Sequence, residues 1–453
     1  MDGVRSGRAI YVIGPLGAVA TVLALGYKPV WTLWHSGVPW VLNIYQDGAV
    51  SAGDVALLAL ALIGLLTMWR LPAAGWPAGT RLALGAGGIL VVCLGASVFG
   101  ALAPLLSVAC CIEFLAGLAA YLTIVRRPWL ARGILLGGAV LLVIELPLAI
   151  AQIATQSTFP TGRLLDGLPR EETAAMPGAA VLIVAGGARW QRALGSFPHP
   201  NILGGFAAVA VVCALPYLTG RHRRVVLALW VIAWTEVLLS FSRAALLAAL
   251  IGCGCWVLGQ VRARPAFRQV VRTAGLPCAA VVLGLLLTGA ALPGRYLPTG
   301  DTLTSPAVTD RLLLDSIAMR LIRAHPLTGV GAGNFTIAEL LPPFAAISVD
   351  PVHVVPLLVA AEAGVVAGLA WLAILLAQPL ALWCSARWRG IHWTNLALPA
   401  TLLTLALCDH FLWTFAPGRA LFWLSLSAWS SLQAGRPASV MPCPAATTRA
   451  NDE

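Results

Sequence analysis

The chain has 453 residues, of which 59% are hydrophobic and only 10% charged, with a formal net charge of +11. A soluble globular chain is about 25% charged, so this composition excludes a soluble enzyme, a disordered chain and a coiled coil. Lys28 is the only lysine, and the arginines sit in short clusters between apolar runs, not in the single basic stripe that a nucleic-acid-binding face needs.

About 20 mostly apolar residues cross a bilayer as a helix. By that measure about twelve spans are predicted: 9–27, 52–69, 82–101, 104–124, 133–153, 201–218, 225–240, 244–260, 273–292, 354–382, 395–414 and 418–433. The first follows Arg5 and Arg8 but has no clear small-residue cleavage site after it, so it reads as a span and not a signal peptide. The run 225–260 is too long for one span and must break near Ser240-Phe241-Ser242-Arg243. Arginines of the short connections, among them Arg70, Arg81, Arg126, Arg132, Arg221 and Arg224, fall on one side, while Lys28, Arg243 and Arg419 fall on the other. Positive charge stays inside, which predicts cytoplasmic termini and puts two long loops, about 154–200 and 293–353, outside. The ten cysteines lack Cys-x-x-Cys spacing and read as buried lipophilic residues, neither a zinc site nor a disulfide framework.

The second loop carries a helical pattern. Asp310 can cap a helix opening at Arg311. Leu313, Leu314, Ile317, Ala318 and Leu321 then share one face, and Arg311, Asp315, Ser316, Arg320 and Arg323 the other, which suits a helix lying at the membrane interface. The pattern breaks at His325-Pro326 and runs into Gly329-Val330-Gly331-Ala332-Gly333-Asn334-Phe335. That glycine-rich stretch reads either as a flexible turn or as a place where backbone amides approach a phosphate. The fold class is therefore all-α: one polytopic transmembrane domain over 1–433 with a large helical outer loop. The small, polar tail 434–453 is expected to be disordered in the cytoplasm.

An ionisable group within or at the edge of a membrane is a functional candidate. Three outer features converge: Ser196 to Asn201 before the sixth span, the Ser242-Arg243 turn, and the long loop from Arg311 to His353. Arginine is permanently charged and its fork matches phosphate oxygens, although Arg243 can equally anchor at headgroups and Arg311 can pair with Asp315. Arg320 and Arg323 fit headgroup contacts. His353, at the mouth of the tenth span, is either a structural histidine or a general base. Asn201 reads as a helix N-cap. Glu113, Glu145, Glu236, Glu362, Asp409 and His410 lie in apolar spans, where they either form a proton path or are paired internally. No metal-ligand spacing, P-loop or H-E-x-x-H is present.

Taken in order, Gly195-Ser196-Phe197-Pro198-His199-Pro200-Asn201, Ser240-Phe241-Ser242-Arg243-Ala244, Arg311-Leu312, His325 to Phe335, His353 and Ala361-Glu362-Ala363-Gly364 make the chain resemble the O-antigen ligase and O-antigen polymerase superfamily of bacterial membrane glycosyltransferases. The resemblance covers about 195–375. Family members often carry His-Asn where this chain has His353-Val354. The resemblance implies a GT-C-like fold in the bacterial inner membrane. It also implies transfer of a glycan from undecaprenyl diphosphate, on the outer face, to lipid A-core or to another carrier-linked glycan, with membrane lipids as surroundings and no nucleic acid, metal or other cofactor. Arg243, Arg311 and His353 would then be catalytic, and His199, Asn201, Arg320, Arg323 and Asn334 would line the substrate site. The rival classes are a transporter of lipid-linked glycans and a non-catalytic scaffold. A transporter should show charges deep in many helices or two related halves.

Overall fold

A computed structural model describes residues 19–20, 24–26, 30–34, 48–67, 76–159, 164–165, 168–169, 171–176, 179–183, 188–218, 221–262, 306–344, 350–384 and 393–434. The expected spans 9–27 (in large part) and 273–292, the start of the second loop and the tail after Ala434 lie outside the described residues.

The architecture is a bundle of apolar helices. Among the described residues five helices are long and apolar enough to cross a bilayer: Ala78–Gly100, Pro104–Val125, Trp129–Thr155, Pro200–Tyr217 and Arg243–Gln260. Three shorter apolar helices accompany them, Ala52–Leu66, Val365–Ala381 and Thr394–Cys408. We number the α-helices in chain order: α1 Ala52–Thr67, α2 Ala78–Ser97, α3 Pro104–Val125, α4 Pro128–Thr155, α5 Pro200–Ala214, α6 Arg223–Leu239 and α7 Arg243–Arg262. The series continues with α8 Pro306–Ala324, α9 Phe335–Leu340, α10 Val355–Ala363, α11 Val365–Cys384, α12 Ala397–Cys408, α13 Phe411–Thr414 and α14 Ala416–Ala434.

The last helix is the centre of the bundle. Helix α14 packs on α3, α4 and α13, while α11 lies along α2, α12 along α7, and α5 against both α6 and α7. Three of its serines are tolerated in this apolar setting because their hydroxyls bond back to their own helix: Ser425 donates to the Leu421 carbonyl at 2.6 Å, Ser427 to the Leu424 carbonyl at 2.9 Å and Ser430 to the Leu426 carbonyl at 2.8 Å. The outward faces stay apolar: Leu66 is 72% exposed and Val92 71%. A water-facing surface would not leave so many large apolar side chains bare, whereas hydrocarbon accepts them without cost.

The acidic residues within the bundle are mostly paired internally. Arg419, in the first turn of α14, meets Glu113 at 3.0 Å and Asp54 at 3.3 Å. Glu145 holds the amide of Ser196 at 2.7 Å and bonds its hydroxyl too. Glu362 accepts from the Trp413 indole at 2.8 Å. The carboxylate oxygens of Glu236 make no hydrogen bond.

The fold is predominantly helical, as expected, with three short antiparallel hairpins among the described residues: β1 Val30–Trp34 with β2 Gly48–Ser51, β3 Leu164–Leu165 with β4 Leu168–Pro169, and β5 Val181–Ile183 with β6 Arg189–Gln191. Several local expectations are corrected. The predicted span 354–382 breaks at Gly364, which has a φ of +94°. The predicted span 395–414 breaks at Asp409 and His410. Helix α8 opens at Pro306, a residue whose missing N–H costs nothing in a first turn, so Asp310 lies inside it and is no cap. Leu313 is 57% exposed, while Leu314, Ile317, Ala318 and Leu321 pack against Val330, Phe335 and Leu358.

The glycine-rich stretch is a packed turn and not a loose one. The Val330 amide donates to the Ala361 carbonyl at 3.1 Å, Gly331 to the Glu362 carbonyl at 2.9 Å, and Val365 to the Pro326 carbonyl at 2.9 Å. Gly329 has a φ of +62°, and a Cβ there would run into the backbone of Glu362; one on Gly364 would run into the Leu327 carbonyl. The two glycine motifs are therefore a single interlock. Left-handed backbone costs a non-glycine residue roughly 1–2 kcal/mol before any collision is counted. Gly329→Ala and Gly364→Ala should each lower the melting temperature of the detergent-purified protein, whereas Gly88→Ala, where a Cβ meets nothing, should not. Equal melting temperatures for all three would contradict the interlock.

Candidate active site at one end of the bundle

The segment before α5 is set by two polar side chains of α4. Gln152 accepts from the amides of Leu194 at 3.0 Å and Gly195 at 2.8 Å and donates to the Gly195 carbonyl at 2.9 Å. Gly195 takes a φ of +60°, which reverses the chain so that Ser196 meets Glu145. His199 follows in extended geometry and caps α5: its Nδ1 accepts from the Asn201 amide at 3.2 Å. That corrects the expectation that Asn201 is the cap. Burial and the nearby Arg192 hold the His199 ring's basicity below the usual histidine value, in keeping with a ring nitrogen that accepts a hydrogen bond.

The Asn201 side chain does something else. Its Oδ1 accepts from Arg192 at 2.6 Å and its Nδ2 donates to Asp409 at 2.6 Å. Arg192, itself buried, donates through Nε to the Ser240 carbonyl at 2.9 Å. One chain of contacts thus joins the loop before α5, the turn between α6 and α7, and the break after α12. The turn is shaped by Phe241, whose φ is +48° and whose ring is buried against Leu182 of the β5–β6 hairpin. Ser242 accepts from the Ala245 amide at 3.3 Å and so caps α7, leaving Arg243 exposed at the first position of the helix.

The mouth of α10 comes to the same place. The His353 ring stands edge-on to His410, centroids 5.2 Å apart at 84°. His410 is fixed by a 2.8 Å contact from Nδ1 to the Thr414 hydroxyl and by stacking on Phe415. The Nδ1 of His353 is buried and has no hydrogen-bond partner. Burial lowers the His353 pKa below 6.5, Asp409 opposing and Arg311 reinforcing the shift. Arg311 therefore lies within electrostatic range of His353, and it acts on Asp315 in its own helix as well.

His199, Asn201, Arg311 and His353 are thus gathered around Asp409 and His410, with Arg243 at the adjoining turn. Arg320 and Arg323 are exposed further along α8. Asn334 is fully buried and spends its amide on the fold: it accepts from Ala103 N at 2.5 Å and donates to the Ser107 hydroxyl at 2.9 Å and the Ala332 carbonyl at 2.8 Å. Sequence reasoning missed Arg192 and Glu339, and treated Asp409 and His410 only as residues of a span. A single buried arginine in a long loop carries no local signal. The β5–β6 hairpin did carry one, since Gly186-Gly187 separates two short apolar runs.

Glu339, in α9, is fully buried beside Asp350. Burial, and then the Asp350 charge, push its carboxyl up from 4.5 to about 9. A raised carboxyl pKa means that ionisation is disfavoured in the folded state, so stability falls as pH rises from about 4.5 towards about 9. Glu339→Gln should remove this dependence: the melting temperature of the variant, relative to the parent, should climb between pH 5 and pH 9. A difference that stays constant with pH would contradict it.

A protein-family model described as O-antigen ligase matches residues 225–372. The match runs from α6 through the second loop into α11; it includes Arg243, Arg311 and His353 but not His199, Asn201, Asp409 or His410. No curated protein matches the chain. The matched segment, about a third of the chain and set within a helical membrane-type bundle, is thus similar to the O-antigen ligase family.

Proposed function

We propose that this end of the bundle faces the outside of a bacterial inner membrane and transfers a glycan from undecaprenyl diphosphate to an acceptor hydroxyl. The observation that carries this reading is the grouping of Arg311, His353, His410 and Asp409 beside the Arg243 turn, drawn from segments about 170 residues apart. A diphosphate at headgroup level meets the exposed guanidinium groups of Arg243 and Arg311. The acceptor oxygen attacks the anomeric carbon and forms the new C–O bond. The bond to the diphosphate oxygen breaks, and the leaving group departs with the electron pair. Arg243 and Arg311 stabilise the charge that develops on it. His353 takes the acceptor proton on its ring nitrogen. A ring kept neutral by burial is suited to that task, and a single displacement inverts the anomeric carbon. No residue in this account needs a metal.

The internal pairing of Glu113, Glu145 and Glu362 also favours a surface reaction over a transport path, since each of these carboxylates is spent holding a motif or a helix end. The acceptor is lipid A-core for a ligase and a second carrier-linked repeat for a polymerase. Deletion of the gene, read on a gel of surface polysaccharide, separates them: loss of all long chains on lipid A-core marks a ligase, and single capped repeats mark a polymerase.

Arg243→Ala and Arg311→Ala should each cut transfer about 100-fold or more, with insertion and melting temperature unchanged, and the lysine variants should recover only part because the planar fork is lost. Normal transfer by both alanine variants would overturn the assignment. The rate should be flat near pH 7 and fall on acidification with a midpoint below 6.5, as His353 is protonated. His353→Gln should lower the rate and abolish that acid limb; an unchanged profile would remove the base role.

A further inference from the structure

At the other end of the bundle, between α4, α5, α6 and α14, lies a half-open cavity of about 520 Å³. Its walls are apolar, with Leu135, Leu142, Phe206, Val209 and Leu424 among them. Apart from Ser425, whose hydroxyl is spent on its own helix, its polar side chains are gathered at one mouth: Arg132 in the first turns of α4, Tyr217 just past α5, and His222 just before α6. Helix α5 starts at the cluster around His199, and the 3-10 turn Leu215–Tyr217 continues it at its far end, so this mouth and the candidate active site lie at opposite ends of that helix.

Two features say what fits. The first is depth. From Arg132 to Leu142 the rise along α4 is about 15 Å at 1.5 Å per residue, half of the roughly 30 Å hydrocarbon thickness of a bilayer. The slot is therefore one leaflet deep. The second is charge. Arg132 stands at the mouth, and His222 is flanked by the exposed Arg221, Arg223 and Arg224. A basic rim above an apolar slot between helices matches an anionic head on an acyl chain.

We propose that this cavity is a binding site for an anionic phospholipid, with one acyl chain in the slot and the phosphate against Arg132, Tyr217 and His222. The carrier lipid fits less well. Its diphosphate belongs at the far end of α5, so its tail would reach the slot from the apolar side and leave Arg132 without an anion.

The test uses the full chain, purified in detergent and stripped of lipid. Phosphatidylglycerol or phosphatidylcholine with identical acyl chains is added, and bound lipid is counted by native mass spectrometry. Phosphatidylglycerol should be held about tenfold more tightly, a difference of about 1.4 kcal/mol. Arg132→Gln should erase the preference, and Ala139→Leu, which fills the slot, should weaken both lipids. Lipid-free melting curves report whether each variant is folded. Equal retention of the two lipids by the unaltered chain would overturn the proposal whatever the variants do. So would a preference that survives in folded Arg132→Gln, or displacement of phosphatidylglycerol by undecaprenyl phosphate at equal concentration.

Discussion

The arrangement of this end of the bundle depends on one buried polar bridge, from the Ser240 carbonyl through Arg192 and Asn201 to Asp409. Arginine and aspartate are both withdrawn from water, which is expensive unless each is fully engaged. Asn201 solves the geometry by accepting from one and donating to the other. A half-made bridge would leave a charge uncompensated in an apolar setting, so the three segments that supply it are held together or not at all. His199 is fixed in the same act, because its ring caps the helix that carries Asn201.

The second structural device is the glycine interlock, which brings α8 onto the apolar helices of the bundle. Backbone bonds between Val330, Gly331 and the Ala361–Glu362 carbonyls leave no room for a Cβ at Gly329 or Gly364. Glu362 then reaches the Trp413 indole, next to the His410 turn. The interlock thus sets where α8 lies, and with it where Arg311 stands relative to His353. In the proposed transfer, an exposed cation beside a half-buried ring would serve a departing anion and a proton-losing acceptor together.

Much of the bundle was legible in hydropathy. The helices Ala52–Thr67, Pro104–Val125 and Arg243–Arg262 fall within a few residues of their apolar runs, and the break at Ser240–Arg243 stands out because the mostly apolar run 225–260 is far longer than one bilayer crossing. The breaks at Gly364 and Asp409 were hidden inside apolar runs, since hydropathy weighs composition and not backbone geometry. Asn201 looked like a cap because asparagine often is one; two charged partners distant in sequence claimed its side chain instead. Arg192 was invisible for the same reason. Its partners lie 9 and 48 positions away along the chain, and only folding brings them into one place.

If the proposed transfer takes place at this end of the bundle, Asn201 and Asp409 act in it as one unit. A double-mutant cycle with Asn201→Ala and Asp409→Asn, read as transfer rate in reconstituted membranes, tests this directly. If the bridge organises the site, either change alone should cost nearly as much as both together, leaving a coupling energy of about 1 kcal/mol or more. Losses that simply add would mean that the two residues act independently, and would contradict the account.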